Sequence, residues 1–239
     1  MKLSNCGITR IDESMHFFPK LEYLDLSHNA FGDDGTAVVA GLLQANTPLA
    51  ELSLAHNIIS HDGVRALADA MRTNARLRVL DLERNGFGDV GTRLIADRLR
   101  ALNSALERLD LRGNGIGTIG ARALGSMLGV NTKLLALNLS DNELDDEAVI
   151  LLSDGLRSNV SLQTLQMSRN EISDVGVNSL AEAMRINASL TWLDLSLCAV
   201  GPAGAIALAD AIRVRNCSAI SAFLCKLGNG SFLLGSHIL

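Results

Sequence analysis

The chain has 239 residues, 48% hydrophobic but only 3% aromatic, and a formal net charge of −5 from 26 acidic and 21 basic side chains. With a pI of about 5.5 it is a poor match to nucleic acid, whose affinity rests on neutralised phosphates. No apolar run reaches the ~18 residues that span a bilayer, and residues 1–6 lack the apolar centre of a secretory signal.

Four cysteines are too few to staple a chain of this size. Asn159, Asn187, Asn216 and Asn229 each open an Asn-x-Ser glycosylation acceptor, and three of these fall at one repeated position. The composition therefore predicts a reduced, cytoplasmic protein that engages neither membrane nor nucleic acid.

In chain order, residues 1–20 read as a partial repeat of a shorter class, with Cys6 23 residues ahead of Asn29. From residue 21 one phrase returns: Leu, two residues, Leu, one residue, Leu, two residues, Asn. It begins at Leu21, Leu49, Leu77, Leu106, Leu134, Leu162 and Leu190, and Cys198 replaces the last Asn. The first, fourth and sixth places point inward, the latter two at the period of a strand. The ninth-place asparagines, Asn29 through Asn170, are expected to form a buried ladder, because buried polar groups need partners.

After each Asn comes a tight corner with one apolar plug: Phe31, Ile59, Phe87, Ile116, Leu144, Ile172 and Val200. A helix follows, with its core stripe four and eight residues past the corner glycine. A small residue sits between them: Ala40, Ala68, Ala96, Gly125, Ser153, Ala181 or Ala209. Residues 21–218 thus hold seven repeats of 28–29 residues, and 219–239 read as a degenerate terminal repeat with an apolar tail. A period of this length predicts an α/β solenoid, with a parallel sheet on the concave face and helices on the convex face.

The corner segments 57–63 (Asn-Ile-Ile-Ser-His-Asp-Gly) and 170–176 (Asn-Glu-Ile-Ser-Asp-Val-Gly) resemble the ribonuclease-inhibitor-like class of leucine-rich repeats. The resemblance covers about residues 21–218. It implies a horseshoe and is broad in function: the class includes ribonuclease inhibitors, Ran GTPase-activating proteins, NOD-like receptor sensor regions, and ciliary and cytoskeletal scaffolds. The acidic tail of the Ran activators has no counterpart here.

Several patterns mimic chemistry. Gly86–Gly91 and Gly115–Gly120 fit G-x-G-x-x-G, but the repeat corner generates the match, so no cofactor is expected. His28 and His56 share a place in adjacent repeats and are read as solvated neighbours rather than metal ligands. Cys6 and Cys198 are expected to fill ladder positions as small buried groups. Asp145-Asp146-Glu147 reads as a helix start, where acids suit the dipole.

The concave face is the expected site. Its outward places carry nine acids (Glu22, Asp25, Glu51, Asp81, Glu83, Glu107, Asp110, Asp141 and Asp194) against five bases (Arg78, Arg84, Arg108, Arg112 and Arg169). The only Tyr and only Trp, Tyr23 and Trp192, fall at its third place, and Tyr, Trp and Arg are hot-spot residue types. The expectation is a non-enzymatic scaffold that docks a protein with a basic patch through Tyr23, Asp25, Glu51, Asp81, Arg84, Arg108, Asp110, Arg112, Trp192, Asp194 and Leu197.

The resemblance also implies alternatives. One is a GTPase activator of the Ran type, with Arg84, Asn114 or Arg112 acting on a small GTPase. Another is a detached receptor sensor region. The resemblance makes cytoskeletal or ciliary association an expectation too. Apolar ends without polar caps add end-to-end self-association.

Overall fold

The computed structural model describes residues 1–12, 20–100, 105–215, 223–227 and 230–234. Seven strands and seven helices alternate: β1 (Tyr23–Asp25), α1 (Gly32–Gln44), β2 (Glu51–Ser53), α2 (His61–Ala70), β3 (Val79–Asp81), α3 (Gly88–Arg100), β4 (Arg108–Asp110), α4 (Thr118–Leu128), β5 (Ala136–Asn138), α5 (Asp146–Ser158), β6 (Thr164–Gln166), α6 (Asp174–Ile186), β7 (Trp192–Leu195) and α7 (Pro202–Arg215). Two more strands follow, β8 (Phe223–Leu227) and β9 (Gly230–Leu234).

All nine strands form one sheet in sequence order. β1 to β8 run parallel, each phrase place opposite the same place of its neighbour: Leu24 pairs with Leu52, and Leu109 with Leu137. β9 returns antiparallel on β8. The segment read as an eroded repeat and tail therefore extends the sheet by a hairpin. Backbone hydrogen bonds ask nothing of side chains, so weak leucine spacing did not prevent the pairing.

The leucines of places one, four and six are buried almost throughout, with the plugs Phe31, Ile59, Phe87, Ile116, Leu144 and Ile172 beside them. Strands β1 to β6 are only three residues long and stop at the fifth place, and an Asx turn closes most phrases there. There Asp25, Asp81, Asp110, Asn138 and Asp194 each accept the backbone N–H of the residue two places on, at 2.9–3.0 Å. That is an Asx turn, which bends the chain out of the pleat.

The asparagine ladder is present. Asn114 Nδ2 donates to the carbonyls of Leu82, Leu111 and Arg112, and its Oδ1 accepts from Asn85 N and Gly86 N. Each amide so satisfies two turns of the solenoid. Asn57 Oδ1 alone among these six is buried without a partner, because the first corner takes another path. There Ala30 N donates to Ile8 O, and Gly32 N to the main-chain carbonyl of Asn57. Cys198 takes the ladder place half-buried, its thiol donating to Met167 O at 3.3 Å.

Cys6 departs from expectation. Its side chain is exposed, and only its N–H joins the ladder, donating to Asn29 Oδ1 at 3.1 Å. Among the described residues no strand lies outside it for a side chain to serve. The edge is instead covered by Met1, Leu3, Ile8 and Ile11, packed on the core.

A second ladder runs along the opposite rim, where helices hand over to strands. Asn74, Asn131, Asn159 and Asn187 accept the N–H groups that open the next phrase (Leu77, Leu134, Leu162, Leu190). They donate to carbonyls one repeat back, of Leu43, Leu99, Leu128 and Leu156. Two of the Asn-x-Ser acceptors, Asn159 and Asn187, are thereby buried and fully engaged.

A third set explains the corner glycines. Asp33, Asp89, Asp146 and Asp174 reach from one helix start to the next corner and accept its N–H groups, including those of Gly63, Gly120, Gly176 and Gly204. A Cβ on those glycines would lie 2.5–2.7 Å from the carboxylate oxygen. The G-x-x-G pattern is thus the mould of an aspartate. Burial opposes the charge on Asp146, yet the bonds from Ser173 and Gly176 hold its carboxyl below the ordinary value.

The α4–α5 contact is tighter still. A Cβ on Gly125 would sit 2.2 Å from Leu151 O, and one on Gly155 2.0 Å from Gly125 O. Two substitutions test this bonding by urea unfolding. Asn114→Ala orphans buried groups on two repeats and is expected to cost roughly 2–4 kcal/mol. Gly155→Ala pushes two helices apart and is expected to cost roughly 2–3 kcal/mol. Asn46→Ala, at an exposed left-handed position with one 3.3 Å bond, is expected to cost no more than about 1 kcal/mol, from backbone strain.

Candidate functional site: the open face of the sheet

Two columns of side chains stand on the face of the sheet away from the helices. Register places Tyr23, Glu51, Val79, Arg108, Ala136, Thr164 and Trp192 in one, and Asp25, Ser53, Asp81, Asp110, Asn138, Gln166 and Asp194 in the other. Tyr23 and Trp192 are six strand spacings apart, an arc of roughly 29 Å. Between them lie two depressions in the floor. One, of about 340 Å³, is lined by Tyr23, Asp25, Glu51 and Asp81. The other, of about 290 Å³, is lined by Arg108, Asp110, Asn138 and Gln166.

The fifth-place acids are tied down by hydrogen bonds from neutral groups, which fix their oxygens without cancelling their charge. Their Oδ1 atoms close Asx turns, and the second oxygens of Asp25, Asp81 and Asp110 are also used. Asp81 accepts from Ser53 Oγ at 2.7 Å, Asp110 from Asn138 Nδ2 at 2.8 Å, and Asp25 from Tyr23 OH at 3.4 Å. Asp194 is only 9% exposed and is bound by both the N–H and hydroxyl of Ser196. It offers almost no contact surface, contrary to its place among the expected site residues. Glu51 and Arg108 are the reverse: both exposed, neither with a side-chain hydrogen bond or ion pair among the described residues.

The eighth place forms a ridge beside the columns. His28, His56, Arg84, Gly113, Asp141, Arg169 and Leu197 all have left-handed backbone, φ from +52° to +67°. For a non-glycine residue this costs roughly 1 kcal/mol. The His28 and His56 rings stack with centroids 4.2 Å apart. Burial and the charge of His28 push His56 below its ordinary value against the pull of Glu83, so it is neutral at pH 7.

Further along, Arg84 spans two repeats to pair with Asp141 and also approaches Glu83 at 3.5 Å. Gly113 permits that reach, since a Cβ there would lie 2.6 Å from Arg84 Cγ. Arg112 Nε sits 3.7 Å from Glu83 and 3.9 Å from Asp141. Arg84 and Arg112 are therefore held in an ionic quartet. Asn114 is 1% exposed inside the ladder. Asn114 therefore has no side-chain donor left for a partner, whereas both guanidiniums are met by counter-charges and stay part-exposed.

Sequence reasoning places Ser53 and Asn138 in the fifth-place column but does not foresee their bonds to Asp81 and Asp110, nor the hub role of Glu83. Ser53 lies 28 residues before Asp81, and Asn138 28 after Asp110, so reading along columns rather than along the chain exposes both bonds. Carboxylate oxygens of Asp81, Glu83 and Asp110 come within 4.8 Å of one another. Burial first, and the neighbouring Asp81 and Glu83 charges with it, push Asp110 above the ordinary carboxylate value. The bonds from Arg112 N–H and Asn138 pull the other way.

The family model described as Leucine Rich repeat matches residues 19–40, 45–68, 73–96, 102–125, 130–153, 158–181 and 187–209. The chain belongs to the leucine-rich-repeat family. No curated protein sequence matches it. Among solved structures it is similar to Leiomodin-1 Actin-Binding Site 2, at 15% identity over 74% of this chain and 86% of that one, with a TM-score of 0.47. It is also similar to the tropomodulin C-terminal domain of Caenorhabditis elegans, at 14% identity over 76% and 93%, with a TM-score of 0.46. No helix among the described residues is long and apolar enough to cross a membrane.

Opposite titration shifts on one face are the measurable consequence. Burial opposes ionisation of Asp25, yet Ser27, Tyr23 and the charge of Lys2 leave its carboxyl below the ordinary 3.8. Carboxyl-carbon NMR is expected to find Asp110 titrating above 3.8 and Asp25 below it. The stability Asp110 contributes is full below its unfolded pKa and is lost as pH rises through the raised folded one. That of Asp25 is full above its unfolded pKa and is lost as pH falls through the depressed one.

Proposed function

We propose that the chain is a non-enzymatic interaction scaffold whose concave sheet face docks a protein partner. The observation that carries this reading is a sheet face covered by no other described element and bounded by half-buried Tyr23 and Trp192. Leu197 supports it: an apolar side chain 48% exposed, at a left-handed position beside Trp192. A rigid, ladder-bonded face also limits the ordering cost of association.

The contact residues are divided by their internal bonds. Glu51, Arg108, Trp192, Leu197 and Tyr23 supply contact area and unneutralised charge. Asp25, Asp81, Asp110 and Asp194 shape the face through the turns they close, and Arg84 and Arg112 define its ionic edge.

The test is affinity capture with quantitative mass spectrometry, comparing three folded proteins. The concave variant Glu51→Arg/Arg108→Glu/Trp192→Ala alters only groups without internal partners. Arg93→Glu/Asp97→Arg, on the exposed side of α3, is the control. Partners are expected to be kept by wild type and control and lost at least about tenfold by the concave variant, matching a hot-spot cost of ~1.4 kcal/mol or more. Partners lost with the α3 variant instead would move the site to the helical face.

A further inference from the structure

The concave face is electrostatically two surfaces. Over β1–β4 the outward acids are Glu22, Asp25, Glu51, Asp81, Glu83, Glu107 and Asp110, facing Arg78, Arg84, Arg108 and Arg112. Arg78 pairs with Glu107 at 2.5 Å. Arg84 and Arg112 are taken up by Glu83 and Asp141. What remains is Glu22, Asp25, Glu51, Asp81 and Asp110 against Arg108 alone, with Lys2 at the edge.

Over β5–β7 the same places hold Leu135, Ala136, Asn138, Gln163, Thr164 and Gln166, then Thr191 and Trp192. The charged groups at these places are Asp194, which is buried, Asp141, which pairs with Arg84, and exposed Arg169 on the ridge. The two columns of that half offer no exposed carboxylate among the described residues; they carry amides and hydroxyls, reach the Trp192 indole, and have Arg169 as the exposed cation beside them.

Resting on the proposed concave-face function, we infer that the face docks a polarised segment of a protein partner: cationic side chains over β1–β3, uncharged apolar ones over β5–β7. Charge complementarity fixes the first half. Three carboxylates, Asp25, Glu51 and Asp81, surround a depression walled by Tyr23. The chain already places a cation there, Lys2 Nζ 6.0 Å from the centre of the Tyr23 ring. A Lys or Arg side chain of a partner gains both the acids and the aromatic face.

In the other half a cation would meet no free carboxylate among the described residues and would face Arg169, so its desolvation would go uncompensated. Apolar groups against Trp192 and Leu135 incur no such cost. Gln166 and Thr164, whose side chains make no hydrogen bonds among the described residues, remain to pair with backbone groups of the segment. Arg108 stands between the two halves and repels a cation that overshoots, which sets the direction of the segment.

Two synthetic dodecapeptides of identical composition test this. One has four arginines in one half and four leucines in the other; its isomer alternates them. Binding is read by anisotropy of labelled peptide at two salt concentrations and by emission of the sole tryptophan, Trp192. The block peptide is expected to bind at least about tenfold tighter than its isomer and to shift Trp192 emission. Glu51→Arg is expected to weaken it about tenfold, and Trp192→Phe is expected to retain the salt dependence.

Equal affinity for the two isomers, or indifference to Glu51→Arg, would overturn the polarised-segment inference. The scaffold reading has a separate outcome: protein partners lost with the concave variant while the block peptide fails would keep the concave site and discard the polarity.

Discussion

No repeat of this protein can satisfy its own backbone. At each turn from strand to corner, N–H and C=O groups turn inward, away from water, where an unpaired group costs about 1–3 kcal/mol. Asn114 shows the solution: one amide side chain serves carbonyls of its own repeat and of the one before, and its oxygen serves N–H groups of that earlier repeat. The second rim, built on Asn74, Asn131, Asn159 and Asn187, repeats the device in the opposite corner. Stability is therefore held between repeats, which makes the chain nearly one-dimensional in its energetics.

That constraint also shapes the outer surfaces. A bridging aspartate such as Asp89 needs the space a Cβ would take at Gly120, so the corner is glycine for a packing reason. The Asx turns place a carboxylate or amide at the fifth place of most phrases. A face rich in acids is in part a by-product of folding. Function is better sought in the side chains this bonding leaves over, and Glu51, Arg108, Trp192 and Leu197 are of that kind.

The ridge of left-handed residues links local geometry to electrostatics. Because the eighth place turns left-handed in every repeat, its side chains stand in one row, and His28 stacks on His56 instead of diverging from it. Gly113 interrupts the row and lets Arg84 cross a whole repeat to Asp141. The resulting quartet neutralises four charges and leaves the acids over β1–β3 as the uncompensated part of the face.

The sequence by itself determined the architecture: a phrase that returns every 28 or 29 residues forces identical units to stack, and its leucines, plugs and asparagines all lie where the spacing put them. It also named the two columns of the open face, since strand period and repeat period together fix which side chains share a surface. Only the tertiary structure decided which of those side chains are free. Asp194 and Glu51 are alike as outward acids in the chain, but one is buried under Ser196 and the other is exposed. The hairpin of β8 and β9 and the exposed Cys6 were likewise decided in three dimensions. The physical reason is that periodicity fixes positions, whereas hydrogen bonds and charge pairs that differ from repeat to repeat, local as Ser196 on Asp194 or between repeats as Arg84 with Asp141, set what each position can do.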